Sequence, residues 1–155
     1  MSRDPKRKKR AADSRLIADD FDRIDRSGGF FFDFPTVVVR PFNAYGPRSH
    51  HEGDSGEVIP KFMLRTMAGL PMMIFGDGNQ TRDFTYVTDV AEAFLCAAES
   101  NVSGEAMNVG SGIHYSVNRL VELLGGAVEF IPKRPGEPDC TFADVKKIER
   151  LLGWK

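Results

Sequence analysis

Apolar and polar positions alternate along residues 34–152 in blocks that indicate strands and helices in turn. The apolar run over residues 34–40 is typical of a buried strand in a parallel sheet, covered on both faces. Residues 58–68 carry apolar side chains at helical spacing, with Pro60 in the first turn and Gly69 at the stop, which predicts an amphipathic helix. Its predicted inner face consists of Ile59, Phe62, Met63 and Met67.

The rest of the chain continues this alternation. Short strands are predicted over residues 71–75, 84–87 and 128–131, and another begins at Met107. Helices are predicted over residues 90–100, capped by Thr88 and Asp89, through Leu124 after a cap at Ser116, and over residues 144–152. One face of the 90–100 helix carries Ala91, Phe94, Leu95 and Ala98. Strands that alternate with helices predict an α/β fold.

Composition narrows the class of protein. With 155 residues, 41% hydrophobic and 28% charged, the chain resembles one soluble globular domain. Its net charge of −1 gives no general attraction to nucleic acid or membranes, and no apolar run approaches the roughly 20 residues that span a bilayer. Cys96 and Cys140 lack CxxC spacing, as expected of reduced thiols in a cytoplasmic protein. The adjacent His50 and His51 lack a third ligand at usable spacing, so we expect a surface loop and no metal site.

The first 29 residues differ from the rest. Residues 6–10 form the basic run KRKKR, and acidic and basic residues alternate after it, so we expect residues 1–29 to be a charged, disordered tail. A basic run can also contact nucleic-acid phosphates, and that alternative predicts binding that weakens steeply with salt. Ser27, Gly28 and Gly29 separate this tail from residues 30–155, the predicted folded part.

Three polar residues follow predicted strands in loops, where open α/β sheets place ligands. Asn43 lies in the turn after the first strand, Arg82 in a Gly-rich loop, and Arg134 after residues 128–131. Arginine is suited to forked contacts with phosphate. On local grounds other interpretations stay open: Arg82 could form a surface ion pair with Asp83, Arg134 could lie in an exposed loop, and Asn43 could serve the turn alone.

Six segments, taken together, carry a resemblance. RPFNAYGPR, VIPKF, IFGDGNQTRDFTYVTDVAEA, NVGSG, RPGE and LGW occur in this order between Pro35 and Trp154. They resemble the C-terminal half of the extended short-chain dehydrogenases, and more narrowly the NAD-dependent nucleotide-sugar epimerases and dehydratases, which include decarboxylases. The resemblance implies a partial Rossmann-type α/β fold with the substrate-binding portion, and a UDP- or dTDP-sugar as the ligand.

The resemblance also implies roles for particular residues. Arg82 and Arg134 match the arginines that hold the diphosphate, and Asn43 matches an asparagine on the phosphate and sugar side. Met73 and Phe75 lie in the short strand that meets the base. The remaining matches are Val58 in the helix beside the nucleotide, Glu137 near the ribose, and Pro41 and Phe42 beside the nicotinamide ring of NAD.

Two family features are missing from the sequence. NAD binding in the family needs a GxxGxxG or GxGxxG turn, and catalysis needs a Tyr followed four positions later by Lys. Neither pattern occurs here: Tyr45, Tyr86 and Tyr115 are followed at that spacing by Ser49, Val90 and Arg119. We therefore expect no catalytic residue in this chain, no tight NAD binding by the chain alone, and completion by an N-terminal half or a homo-oligomer.

Three functions remain open at this point. The chain can be the nucleotide-sugar-binding part of an epimerase or dehydratase that is inactive alone. It can be a binding module that holds a nucleotide sugar without turning it over. It can also be a basic-tailed nucleic-acid-binding protein, which the net charge makes the least favoured of the three.

Overall fold

A computed structural model describes residues 36–53 and 56–155. The predictions for residues 1–29 and for the start of the first strand lie outside these residues. The chain divides into two units. In the described part, the smaller unit comprises residues 36–38 and 101–106, and the larger comprises residues 39–53, 56–100 and 107–155.

Short strands and four helices alternate along the described residues, which confirms the α/β class. The strands are β1 (Val37–Pro41), β2 (Ala44–Tyr45), β3 (Met72–Phe75), β4 (Thr81–Arg82), β5 (Thr85–Tyr86), β6 (Glu105–Val109), β7 (Tyr115–Ser116), β8 (Val128–Ile131) and β9 (Cys140–Thr141). The helices are α1 (Val58–Met67), α2 (Val87–Glu99), α3 (Val117–Leu124) and α4 (Lys146–Leu152). None of these helices is both long and apolar enough to cross a membrane.

The strands form several small sheets. Strand β1 pairs with β6, β2 runs parallel to β5, and β3 runs parallel to β8. The β4 strand lies in the middle of a three-stranded sheet, antiparallel to β7 and parallel to β9. Because β4 is central, its two residues face partners on both sides, and Arg82 lies in register with Thr141 of β9.

A hydrophobic cluster in the larger unit joins helices α1 and α3 to strand β3. Its buried members are Phe62, Met72, Ile74 and Val117, and its partly buried members are Val58, Leu120, Val121 and Leu124. The predicted inner face of α1 is therefore only partly right. Phe62 is buried, but Met63 is half exposed and Met67 is 81% exposed, because the helix packs through the face that Val58 and Phe62 share.

Several predicted element boundaries also shift. Helix α2 begins at Val87 rather than at residue 90, because β5 runs directly into it and places Tyr86 at the N-cap. The predicted cap is wrong: the Thr88 hydroxyl donates to the Asp89 carboxylate, and no side chain caps the helix. The α2 residues that pack inward are Val90 and Ala93, whereas the predicted apolar face, with Phe94 and Leu95, is exposed.

The burial of β1 and the start of α4 also differ from the predictions. Strand β1 is half-buried rather than buried on both faces. Helix α4 starts at Lys146 rather than at residue 144, where the Asp144 carboxylate accepts a hydrogen bond from the Lys146 N–H. The predicted Ser116 cap of α3 is confirmed, since its hydroxyl oxygen accepts from the Arg119 N–H.

Candidate functional site

A partly buried ion pair joins the central strand of the three-stranded sheet to Glu137. Arg82 ends β4 and is only 9% exposed, because β7 and β9 flank it. Its Nη2 donates to Glu137 Oε1 over 2.7 Å, and its Nη1 donates to the Thr81 carbonyl over 2.8 Å. The second carboxylate oxygen, Glu137 Oε2, is buried and accepts no hydrogen bond within the described part of the chain. Arg82 and Glu137, two predicted ligand contacts, therefore lie side by side.

The alternative in which Arg82 pairs with its neighbour Asp83 is wrong. The Asp83 side chain is fully buried, and both of its carboxylate oxygens bond to groups other than Arg82. Asp83 Oδ1 accepts hydrogen bonds from the Ser111 N–H and hydroxyl, and Oδ2 accepts from the Ala143 N–H. Asp83 thus fixes the loop after β6 and the segment after β9 to the end of β4.

Arg134 and Phe75 form a second contact between predicted site residues. The guanidinium carbon of Arg134 lies 3.9 Å from the centre of the Phe75 ring, a cation–π geometry. Phe75 ends β3, so its backbone position is set by the parallel pairing of β3 with β8. The Glu137 N–H donates to the Arg134 carbonyl over 3.4 Å. Phe75, Arg134, Glu137 and Arg82 therefore form one continuous series of contacts.

Asn43 reaches the same sheet through a different residue. Its amide oxygen accepts a hydrogen bond from the Thr141 hydroxyl over 3.0 Å, and Thr141 lies in register with Arg82. The backbone of Asn43 has φ of +21°, in a region that most residues avoid, and Asn is among the residues that adopt it most readily. Asn43 is thus tied to the β4–β9 pair that carries Arg82.

Four other predicted site residues lie outside this series of contacts. Val58 opens α1 and packs against the hydrophobic cluster. Met73 lies on β3 in register with Glu129 and is partly exposed. Pro41 ends β1 and is exposed, while the Phe42 N–H donates to the Val109 carbonyl over 2.8 Å. No contact joins these four residues to the Arg82–Glu137 pair among the interactions of the described residues.

A polar cavity of about 360 Å³ lies beside the turn after β3. Its lining consists of Gly76, Asp77, Asn79, Gln80, Lys133 and Asp139. The ion pair with Asp139 raises the pKa of Lys133 above its ordinary value, and a hydrogen bond from the Asn79 N–H lowers the pKa of Asp77. The charges of Lys133 and Asp139 therefore compensate one another, and this cavity shows no excess of positive charge that favours an anion.

The N-termini of the described helices do not suit the pyrophosphate of a dinucleotide. Such a site needs open N–H groups and no nearby negative charge. The N-cap of α1 is Glu57, and the first turns of α2 and α4 contain Asp89 and Glu149. The α3 N-terminus is already capped by Ser116. The described residues contain no group of three or more His, Cys, Asp or Glu residues that could hold a metal.

Sequence patterns could not identify two residues of this site. Asp83 could be noticed only as the neighbour of Arg82, and Thr141 lies in a short segment with no recognisable motif. Both gain their importance from contacts across 28 to 98 positions of sequence. Such contacts leave no local signal in one sequence.

Short strands, several of them in parallel pairs, alternate with helices and define an α/β protein. A family model described as "NAD dependent epimerase/dehydratase family" matches residues 23–110, more than half of the chain. The chain therefore belongs to the NAD-dependent epimerase/dehydratase family.

Relatives of known sequence agree with this assignment. The chain is 35% identical to UDP-glucose 4-epimerase of Mycolicibacterium smegmatis over 130 residues, which are 80% of this chain and 41% of that protein. It is 40% identical to a putative UDP-glucose 4-epimerase of Methanocaldococcus jannaschii over 125 residues, or 77% of this chain and 40% of that protein. The chain thus spans less than half the length of these relatives.

Solved structures show the same fold. A UDP-N-acetylglucosamine 4-epimerase from Methanobrevibacter ruminantium, in complex with UDP-N-acetylmuramic acid, superposes with a TM-score of 0.83 at 29% identity, over 90% of this chain and 46% of that one. A UDP-glucuronic acid 4-epimerase from Bacillus cereus, in complex with UDP-glucuronic acid and NAD, superposes with a TM-score of 0.76 at 30% identity, over 86% of this chain and 44% of that one.

Proposed function

We propose that this chain binds the nucleoside diphosphate part of a UDP- or dTDP-sugar and serves as the substrate-binding portion of a nucleotide-sugar epimerase or dehydratase. The observation that carries the proposal is the series of contacts from Phe75 through Arg134 and Glu137 to Arg82. It combines an aromatic ring, two cations and a carboxylate, which are the groups that a base, a diphosphate and a ribose require.

Each group has a distinct task in this proposal. Arg82 and Arg134 neutralise the two phosphate charges, and Arg82 is already oriented by Glu137 before ligand arrives. Glu137 is the carboxylate that we propose to lie near the ribose, and its bond to Arg82 holds the guanidinium in place. Arg134 covers one face of the Phe75 ring, so a base meets the edge or the other face of that ring.

In this proposal, the residues in the series of contacts from Phe75 to Arg82 bind substrate and take no part in hydride transfer. NAD supplies the hydride acceptor in the family, and Pro41 and Phe42 are the residues of this chain proposed to lie beside its nicotinamide ring. Because the sequence has no Tyr-x-x-x-Lys pair and the described helices do not suit a pyrophosphate, we propose that this chain alone does not turn over substrate. A complementing N-terminal half or a second copy would supply the rest.

The ligand preference can be measured by isothermal titration calorimetry. We expect UDP to bind more tightly than UMP, and UMP more tightly than uridine, because each phosphate adds charge for the arginines. Arg82→Ala and Arg134→Ala should each weaken UDP binding roughly ten- to hundredfold, the value of a charge-assisted hydrogen bond. Arg119→Ala is the matched control, since Arg119 pairs with Glu122 on the exposed surface of α3.

Two results would contradict the proposal. One is a folded wild-type chain that does not bind UDP at millimolar concentration. The other is equal affinity for UDP and uridine, which would mean that the arginines do not contact phosphate. Inactivity is tested separately, by supplying the chain with NAD and UDP-glucose and measuring NADH and epimerised product. Turnover by the chain alone would overturn that part of the proposal.

A further inference from the structure

Asn43 is held in an unfavourable conformation by residues far away in the sequence. Its φ of +21° is outside the common regions for a residue with a side chain. The Thr141 hydroxyl donates to its amide oxygen over 3.0 Å, and the Thr85 N–H donates to its backbone carbonyl over 3.4 Å. The side chain and the backbone of Asn43 therefore each have a hydrogen-bond partner within the chain.

The amide oxygen of Asn43 faces the Thr141 hydroxyl, so the NH₂ group points away from Thr141. An amide has an accepting oxygen and an NH₂ group with two donors, and an unconstrained side chain can present either. Here the oxygen is taken by Thr141, which leaves the NH₂ group as the end that can serve a ligand. A phosphate or sugar oxygen needs a donor, so the preset amide suits the proposed ligand.

We infer that Thr141 is a positioning residue that presents the Asn43 NH₂ group to the phosphate and sugar side of the nucleotide. The inference rests on the proposed function and extends it to a residue outside the predicted site. Thr141 is itself held firmly. It pairs in register with Arg82, and its carbonyl accepts a hydrogen bond from the Asp83 N–H over 3.0 Å.

This arrangement links two proposed ligand contacts through one residue. Arg82 and Thr141 are neighbours across the β4–β9 pair, and Thr141 carries the bond to Asn43. The buried Asp83 carboxylate also accepts from the Ala143 N–H, two residues after Thr141, which fixes the end of β9. Arg82 and Asn43 are therefore tied to the same pair of strands, an arrangement that favours preorganised binding.

The first test removes the Thr141 hydroxyl without changing the size of the side chain. Thr141→Val should weaken UDP binding roughly fivefold, about the value of one hydrogen bond, whereas Thr141→Ser keeps the hydroxyl and should stay within about twofold of wild type. Thr88→Val is the matched control, because the Thr88 hydroxyl is on the exposed start of α2. Affinities are measured by titration calorimetry, with unfolding temperatures recorded for each variant.

A double-mutant cycle separates positioning from general stability. Asn43→Gly removes the amide, and glycine accepts a positive φ without strain. If Thr141 acts through Asn43, then Thr141→Val should not weaken UDP binding further in the Asn43→Gly background. Additive losses in the cycle, or wild-type affinity in Thr141→Val alone, would overturn the inference and leave the proposed function standing. A wild-type chain that binds no UDP would overturn both.

Discussion

Replacing Arg82 with methionine should destabilise the fold because it leaves a partly buried carboxylate without its cation. Methionine keeps an apolar stem of similar length but removes the guanidinium. Glu137 Oε1 then loses its 2.7 Å contact, and Glu137 Oε2 already accepts no hydrogen bond within the described residues. The variant thus leaves a partly desolvated carboxylate that has lost its Arg82 partner.

The expected loss can be estimated from the burial of the two partners. Breaking a buried pair from one side costs about 3–5 kcal/mol. The Arg82 side chain is 10% exposed but that of Glu137 is 26% exposed, so water screens part of the charge. We expect a loss of about 2 kcal/mol in the free energy of unfolding. For a chain of this size, that lowers the unfolding temperature by roughly 4–8 °C.

The assay is urea and thermal unfolding of Arg82→Met, Glu137→Gln and the double variant. Glutamine at 137 removes the stranded charge, so the double variant should be less destabilised than the sum of the single variants by about 1–2 kcal/mol. The matched control is the exposed pair Arg119 and Glu122, where the same exchanges should couple by less than about 0.5 kcal/mol. Additive effects at 82 and 137, or an unchanged unfolding temperature for Arg82→Met, would refute the reasoning.

Three further predictions concern residues around the site: Asp83, Gly78 and Asp77. Asp83→Ala removes three hydrogen bonds and leaves the N–H of the buried Ala143 unpaired, so it should lower the free energy of unfolding by about 3 kcal/mol in urea titrations. A loss below about 1 kcal/mol would contradict this. Gly78→Ala places a methyl group 2.0 Å from Asn118 Oδ1 at φ +75°, whereas Gly136→Ala meets nothing within 4 Å at φ +77°. The first should therefore be more destabilising than the second in thermal melts, and equal effects would mean that backbone strain alone decides. The hydrogen bond from the Asn79 N–H lowers the pKa of Asp77. The ionised Asp77 carboxylate therefore stabilises the fold at pH values above its ordinary pKa of 3.8, and this stabilisation is lost as the pH falls through the pKa of the folded state. The difference in unfolding temperature between wild type and Asp77→Asn should therefore shrink below about pH 4, and a difference independent of pH would contradict it.

Much of the fold could be predicted from the sequence because its signals are local. Gly69 stops α1 and the Ser116 hydroxyl caps α3, so those boundaries were close to the structure. The start of α2 was wrong because a strand enters that helix without a turn, and no capping residue marks the junction. The inner face of α1 was wrong at Met67 because helical spacing alone does not reveal which side meets a neighbour.

The site was harder to predict than the fold. Arginine chemistry and the family resemblance pointed to Arg82, Arg134 and Glu137, and the structure places these residues in contact through Phe75 and backbone bonds. Whether they hold a nucleotide stays a prediction. The role of Thr141 could not be inferred from sequence, because it depends on a hydrogen bond to Asn43 across 98 positions.

The central claim is that this chain folds into a site for a nucleoside diphosphate, and thermal unfolding of the purified chain with UDP, dTDP or NAD tests it most directly. A ligand that binds only the folded state adds about 2.7 kcal/mol of stability at one hundred times its Kd. We predict one cooperative transition, raised by roughly 5–11 °C with saturating UDP or dTDP and unchanged by NAD. A transition that NAD raises and the nucleoside diphosphates leave unchanged would contradict the account.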